Sequence, residues 1–382
     1  MSQGGHLALH VGGPGVTVPA PPEVLDAVQQ VTVTLDDAGK SGFQIALALA
    51  RPRGPGNDDY PVLSSLALRI GNRIQITASL GGQQHPLMDG IITNHQLAPS
   101  NDPGASTLTI SGEDVTIMLD QHEVQLQLPA MPQFARVNLM LAPLAAFGVL
   151  PTVIPPPSDL PPLVTDNPPT VDGTFLSAIN KIAQDANYMF AWQPGLVRGQ
   201  SFAYFGPKVY MGRPQRALTF GMGSEDNLTS ISFTDDGTKA KMVYGFVQEE
   251  NTNVPSIPVV SLPYPFFLEA VPATVGYLPL LGLQKLADDQ GGSVAQAYVK
   301  ATAQHWSSLE GAASATGELD TVRYGEVLKA QQVVEVRGVG WSHGGTWYVK
   351  SVTHTLTRGS WTQAFNLERT GIGAKLRRVV LQ

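Results

Sequence analysis

Cysteine is absent from the 382 residues, which removes disulfide frameworks, thiolate metal sites and cysteine nucleophiles at once. Charge is scarce as well: Asp, Glu, Lys and Arg make up 14% of the chain, against roughly 25% in an average soluble domain, so helices with highly charged faces are not expected. The charge present has the wrong sign for a phosphate backbone. Twenty-four basic and 31 acidic residues leave a net charge of -7, whereas nucleic-acid binding needs a basic face. The single basic cluster, Lys375, Arg377 and Arg378, reads as a solvated tail. No apolar run is both long and unbroken. Val137 to Ser158 carries no charge, but Pro143, Gly148, Pro151 and Pro155 to Pro157 interrupt it, so no membrane insertion is expected. Met1 to Gly15 has neither a basic n-region nor an apolar h-region, so no secretory signal is expected.

What the chain does have is glycine, proline and apolar residues. Thirty-nine Gly and 30 Pro punctuate a sequence that is 43% hydrophobic, a composition of many turns around a core large enough to fold. At this length two to three domains are expected. Apolar residues alternate at Val31, Val33 and Leu35, at Phe43, Ile45, Leu47 and Leu49, at Ile74, Ile76, Ala78 and Leu80, through Leu87 to Thr93, and at Leu108 and Ile110. Five short strands with close turns predict a small barrel.

Eleven of the prolines fall between Pro129 and Pro169, which predicts a boundary or an elaborated connection. From Asp172 to Tyr188 the residues Phe175, Leu176, Ile179, Ile182, Ala183 and Ala186 share a helical face, with Asp172 or Thr174 as N-cap. Strands follow near Tyr188 to Trp192 and Ala203 to Met211, making the middle of the chain a small α+β unit. The strand pattern resumes at Leu218 to Phe220 and Leu228 to Phe233, with Asp236-Gly237 as a turn before Lys241 to Val247. A Pro-rich stretch, Pro255 to Pro279, and a helical stripe of Val294, Tyr298, Ala301, His305 and Leu309 interrupt it. Strands Val333 to Val339, Thr346 to Val352 and Trp361 to Leu367 close the chain. Adding 259 takes His95 to His354, Leu97 to Leu356, Leu108 to Leu367 and Gly112 to Gly371, as two copies of one β unit would read.

No catalytic constellation is complete. Gly39-Lys40-Ser41 resembles the end of a phosphate loop, but Thr34 stands where its first Gly belongs. Gly221-x-Gly223 is followed by Asp226 rather than a third Gly, and no Gly-x-Ser-x-Gly elbow occurs. The histidines form no local zinc pattern, and His95 and His354 read as hydrogen-bonded strand residues. The acidic pairs Asp36-Asp37, Asp58-Asp59, Asp235-Asp236 and Asp288-Asp289 read as solvated turn carboxylates. Glu113 and Asp114, adjacent on a strand end, point to opposite faces and cannot act jointly. Trp341, Trp347, Tyr348 and Trp361 suggest either a sugar platform or, in a small barrel, core and interface. No catalytic, cofactor-binding or metal-ligating residue is assigned, and no cofactor is expected.

Asp89-Gly90-Ile91-Ile92 followed by Leu108-Thr109-Ile110-Ser111-Gly112-Glu113-Asp114 and Leu119 resembles the first barrel of the phage late control D proteins, where such a strand leads into a short helix, here near Val115. The helix Thr174 to Asn187 running into Tyr188-Met189-Phe190, then Leu218 to Gly223 with Asn227-Leu228, extend the likeness. So does Gly338-Val339-Gly340-Trp341 through Gly345 to Val349 and Val352 to Leu356, closed by Phe365 to Arg369. The resemblance spans about residues 30 to 370.

It implies a baseplate hub of a contractile tail, of the VgrG N-terminal type. The expected fold is mainly β with α+β: two related small, tudor-like β-barrels with an α+β domain inserted between them. The expected domains are a first barrel over 1–125, a Pro-rich connection and α+β domain over 126–215, a second barrel over 216–370 with an inserted segment and helix at 250–312, and a tail over 371–382. The implied function is non-enzymatic: a homotrimer that joins a spike to the inner tube, contacts baseplate wedge proteins and adapts three-fold to six-fold symmetry. Because the chain ends fifteen residues after Leu367, the spike is expected on a separate chain. Assembly would be cytoplasmic, followed by residence in a phage tail or injection particle. Two rival readings are a glycan-binding or hydrolytic β-protein of a tail tip, suggested by Trp341, Trp347 and Trp361, and an adaptor ring of six-fold symmetry.

Overall fold

The computed structural model describes residues 6–13, 15–37, 41–49, 60, 62, 66–100, 102, 105–156, 170–247, 257–262, 268–286 and 294–375. The first strand-rich region holds β1 (His6–Gly12), β2 (Thr17–Pro19), a short helix α1 (Pro22–Ala27), β3 (Val28–Asp36), β4 (Gly42–Leu49), β5 (Arg73–Leu80), β6 (Gln83–Ala98) and β7 (Ser106–Asp114). Burial alternates strictly along β7, and Val31, Val33, Ile45, Leu47, Ile74, Ile76, Leu108 and Ile110 are all buried, as period-two spacing requires. One strand was hidden from that reading. The sequence pattern assigns no element to residues 6–12, yet β1 pairs along its whole length with β5; His6, Ala8 and His10 dilute an alternation that Leu9 and Val11 complete from the core side.

The middle of the chain holds β8 (Glu123–Gln127), α2 (Gln133–Leu141), β9 (Val149–Val153), β10 (Thr170–Thr174), α3 (Phe175–Ala186), β11 (Met189–Pro194) and β12 (Ser201–Gly206). Helix α3 begins where Thr174 Oγ1 accepts from Ser177 N at 3.1 Å and ends at Asn187 in the left-handed region, a residue that tolerates positive φ. Strands β11, β12 and β9 form a three-stranded sheet. The helices and this sheet share one core with the first strand-rich region, and that core also takes in Val327, Leu356 and Trp361 from the far end of the chain.

The last region holds β13 (Gln215–Thr219), β14 (Leu228–Asp235), β15 (Lys241–Val247), β16 (Ile257–Val260), β17 (Glu269–Pro272), β18 (Gly282–Lys285), α4 (Val294–Leu309), β19 (Ala313–Asp320), β20 (Val333–Arg337), β21 (Gly345–Thr357), β22 (Ser360–Arg369) and β23 (Gly371–Ala374). The Pro255 to Pro279 stretch is less irregular than expected, since β16 and β17 lie within it. Pro258 is accommodated because β16 is an edge strand, where a missing N–H costs no ladder bond.

The protein is mainly β, in several sheets. The two regions expected as separate barrels are hydrogen-bonded into one 13-stranded sheet, in the order β14-β19-β22-β21-β3-β4-β7-β6-β5-β1-β2, with β20 and β13 branching from β21. No barrel closes among the described residues. The join is made by β21, whose first residues pair with β20 and whose later ones, Ser351 to Thr357, pair with β3. A register shift between Val349 and Ser351 supplies the local twist that lets one strand change partners. At the other end β13 is tied to the start of β14 by Asn227, whose Oδ1 accepts from Thr219 N at 2.9 Å and whose N donates to Thr219 O at 3.2 Å.

The 259-residue echo holds for the first strand of each hairpin and fails for the second. His95 and Leu97 lie on β6, and His354 and Leu356 lie on β21. Leu97, however, faces Leu108, while Leu356 faces Trp361 rather than Leu367. Loop length is the cause: residues 99–105 join β6 to β7, whereas 358–359 alone join β21 to β22.

Candidate functional site

The residues singled out by sequence scatter through the structure. Gly39, Lys40, Asp58, Asp59, Asp288, Asp289, Arg377 and Arg378 lie outside the described residues. Ser41 serves Asp114, donating its N to Oδ2 at 3.1 Å. Asp114 also accepts from Thr116 N at 2.8 Å and caps the 3-10 turn Val115–Leu119, where the short helix was expected. Burial pushes Asp114 up to about 6 against those hydrogen bonds. Gly221 and Gly223 both have positive φ and form a turn, in which Met222 N donates to Asp226 Oδ1 at 2.6 Å. Asp236 takes Thr238 N at 3.0 Å in the expected turn.

One expectation, that both strand histidines are hydrogen-bonded, is corrected. His95 and His354 are not equivalent: His95 is half-buried beside Leu68, Ile70 and Leu108, whereas His354 is fully buried with neither ring nitrogen hydrogen-bonded. Burial drives His354 down to about 3, so it is a neutral core residue and no acid-base group near neutral pH. Of the two readings of the aromatics, core is the one found for three of the four. Trp347, Tyr348 and Trp361 are buried, and of the four only Trp341 is exposed: it lies on the short helical turn Gly340–His343, whereas Trp347 and Tyr348, adjacent on β21, point to opposite sides of a strand that is covered on both.

The structure assembles instead a charge cluster that sequence reasoning missed. Asp37, expected as a solvated turn carboxylate, is fully buried at the end of β3. Its neighbour is Lys208, just beyond β12, whose Nζ lies 2.9 Å from Asp37 Oδ2, 2.7 Å from Glu310 Oε2 at the end of α4 and 2.6 Å from Glu368 Oε1 on β22. Lys350 on β21 reaches Glu368 Oε2 at 3.3 Å, and the Tyr348 ring lies 5.5 Å beneath Lys208. Four parts of the chain that are far apart in sequence are tied at one buried point. Three carboxylates share two ammoniums, which leaves one negative charge in excess.

The titration of the cluster follows from that count. Burial would lower Lys208, but Glu310, Glu368 and Asp37 together outweigh it and raise it. Burial would raise Glu368, but Lys208 and Lys350 outweigh it and hold it down. Glu310 and Asp37 are left short of compensation, so burial dominates and raises both, Glu310 to about 7. Lys208, held in its charged form, is no general base, and the cluster ties four distant parts of the chain together.

Two further buried ions have the same character. Arg73 forks onto Asp89, with Nε and Nη2 each at 2.6 Å from a carboxylate oxygen. Arg369 donates to the carbonyls of Gly371 at 2.9 Å, Gly344 at 3.0 Å and Ser342 at 2.8 Å, and stacks 4.3 Å over the Trp347 ring. Among the described residues no three His, Asp or Glu side chains gather as metal ligands, and no helix is long and apolar enough to cross a membrane.

No family model and no curated protein matches the chain, but solved structures do. A tail protein from Neisseria meningitidis MC58 aligns with a TM-score of 0.61 and 14% identity over 97% of this chain and 98% of that one. The 43 kDa tail protein of prophage MuSo2 from Shewanella oneidensis aligns with a TM-score of 0.62 and 10% identity over 96% and 99%. An E. coli component of the type VI secretion system aligns with a TM-score of 0.55 and 11% identity over 89% of this chain and 73% of that one. Identities this low establish fold. The chain has the fold shared by phage tail proteins and a type VI secretion component, as the baseplate-hub resemblance implied.

Proposed function

We propose that this chain is a structural baseplate hub of a phage tail or contractile injection system. In this reading it forms a homotrimer that joins a spike protein on a separate chain to the inner tube, with baseplate wedge proteins around it. The observation that carries the reading is the end-to-end correspondence of fold with two tail proteins, over nearly the whole of each chain. The cluster around Lys208 supports it, because ion pairs that join four distant parts of the chain at one buried point fix the relative placement of those parts, which a mechanical joint requires.

The two ends of the long sheet are read as two incomplete barrel-like units, over 1–125 and 216–370, with the α+β domain of 126–215 between them, a segment at 250–312 inserted in the second and a tail at 371–382. Three copies would then offer six similar modules around one axis, which lets a three-fold assembly meet a six-fold ring. Assembly in the cytoplasm precedes incorporation into the particle. The test is the mass of the purified chain by light scattering, alone and after co-expression with the candidate spike encoded beside it. A mass near three chains that rises when the spike is present is expected; a monomer that binds no spike refutes the reading.

A further inference from the structure

Strands β16, β15 and β18 form a separate three-stranded sheet that is apolar on both faces. Its inner face, Val243, Val259 and Leu286, packs on Ala297 and Ala301 of α4. Its outer face is apolar too. Tyr244 pairs with Val260 and Phe246 with Pro258, and Leu283 pairs with Met242, so these side chains project together on the side away from α4. Phe246 is 66% exposed and Leu283 74%, where a solvated sheet face would alternate to polar residues.

We infer that this outer face is the contact between neighbouring copies of the chain. The inference rests on the homotrimer proposed above and names the surface that builds it. Area is the first argument. Tyr244, Phe246, Val260 and Leu283 alone leave on the order of 400 Å2 of apolar surface, comparable to the largest patch on a typical monomer and about half of one partner's share of a standard interface. Chemistry is the second: the strands place one charged side chain, Lys285, among these residues, the composition of an obligate interface rather than a transient, polar one. The third argument concerns symmetry. A closed ring of three copies is built from head-to-tail contacts, so each copy must supply two dissimilar surfaces. The same chain has a second, mixed site far from the first in sequence, a pocket of about 320 Å3 lined by Val62, Leu68, Arg69, Ile70, His95 and Leu108, with exposed Leu66 and Leu97 near it in sequence.

The experiment compares the full-length wild type, the double variant Phe246→Glu/Leu283→Glu and the control Leu196→Glu, which alters an exposed apolar residue at the β11–β12 turn, by light scattering over a broad concentration range. The expected result is a threefold loss of mass in the double variant, with an unchanged circular dichroism spectrum, and no loss in the control. A double variant that keeps the wild-type trimer overturns the assignment of the face and leaves the hub reading intact; a wild type that is monomeric at every concentration overturns the assembly itself. If the double variant does not fold, a photo-crosslinking amino acid at Leu283 decides: a covalent dimer of the chain supports the face, and its absence from an assembled trimer overturns it.

Discussion

Replacing Glu310 with Gln should stabilise the protein in alkaline solution and leave it unchanged in mild acid. Glu310 carries the negative charge that Lys208 and Lys350 do not balance, and burial raises its carboxyl from 4.5 to about 7. Because the folded-state value lies above the unfolded one, the folded state binds the proton more tightly, and that stabilisation is present in full below the unfolded value and is lost as pH rises through 7. A rise of that size corresponds to on the order of 3 kcal/mol. Gln carries no charge at any pH and keeps a carbonyl to accept from Lys208 Nζ. At about pH 8.5 the variant should therefore exceed the wild type by up to about 3 kcal/mol, and at about pH 5 the two should converge. Lys208→Met should do the reverse, stripping the shared ammonium from three carboxylates and costing about 3–5 kcal/mol in alkali, less as acid neutralises them. Urea midpoints followed by tryptophan fluorescence at the two pH values measure both. A Glu310→Gln protein less stable than the wild type in alkali, or a gap that does not change with pH, refutes the account of the cluster.

His354→Leu should stabilise by about 1 kcal/mol, since it removes two buried, unpaired ring nitrogens; with its pKa lowered to about 3 by burial, the wild-type histidine costs stability progressively as pH falls below 6.5, and thermal midpoints of the variant should be flatter over that window, with an unchanged acid slope counting against the assignment. Arg369→Lys should cost about 2–4 kcal/mol, because one ammonium cannot reach three carbonyls and stack on Trp347 as the planar fork does; a urea midpoint within experimental error of wild type would show that the fork is dispensable.

Where a side chain's environment is set by its own strand or helix, the sequence was informative. Val31 to Leu35, Phe43 to Leu49 and the stripe of α3 announce their buried faces by spacing alone, and Asp172 and Thr174 announce the helix start to within two residues, Thr174 being the one that caps it. The hub-type resemblance rests on such local runs, and the fold correspondence agrees with it. What escaped the sequence was set by distant partners. Nothing near Asp37 or Lys208 distinguishes them from turn residues; their burial follows from β22 and α4 arriving beside them, more than a hundred residues later. The echo misled for a related reason, since a constant offset assumes equal loops and the two hairpins have unequal ones. The apolar outer face of β15 was legible only as a run without alternation, which reads equally as a strand buried on both sides.

The pairing of β3 with β21 sets the schedule on which the chain can finish folding. Gln30 lies opposite Thr357, so one edge of an early strand waits for a partner made almost last, roughly half a minute later at ordinary rates of synthesis. During that interval β4 can occupy only the other edge of β3, and the open one is a strand of Val31, Val33 and Leu35 available to any neighbouring nascent chain. Yield during expression should consequently respond to temperature and to chaperones that shield open strand edges, even where the finished protein is stable.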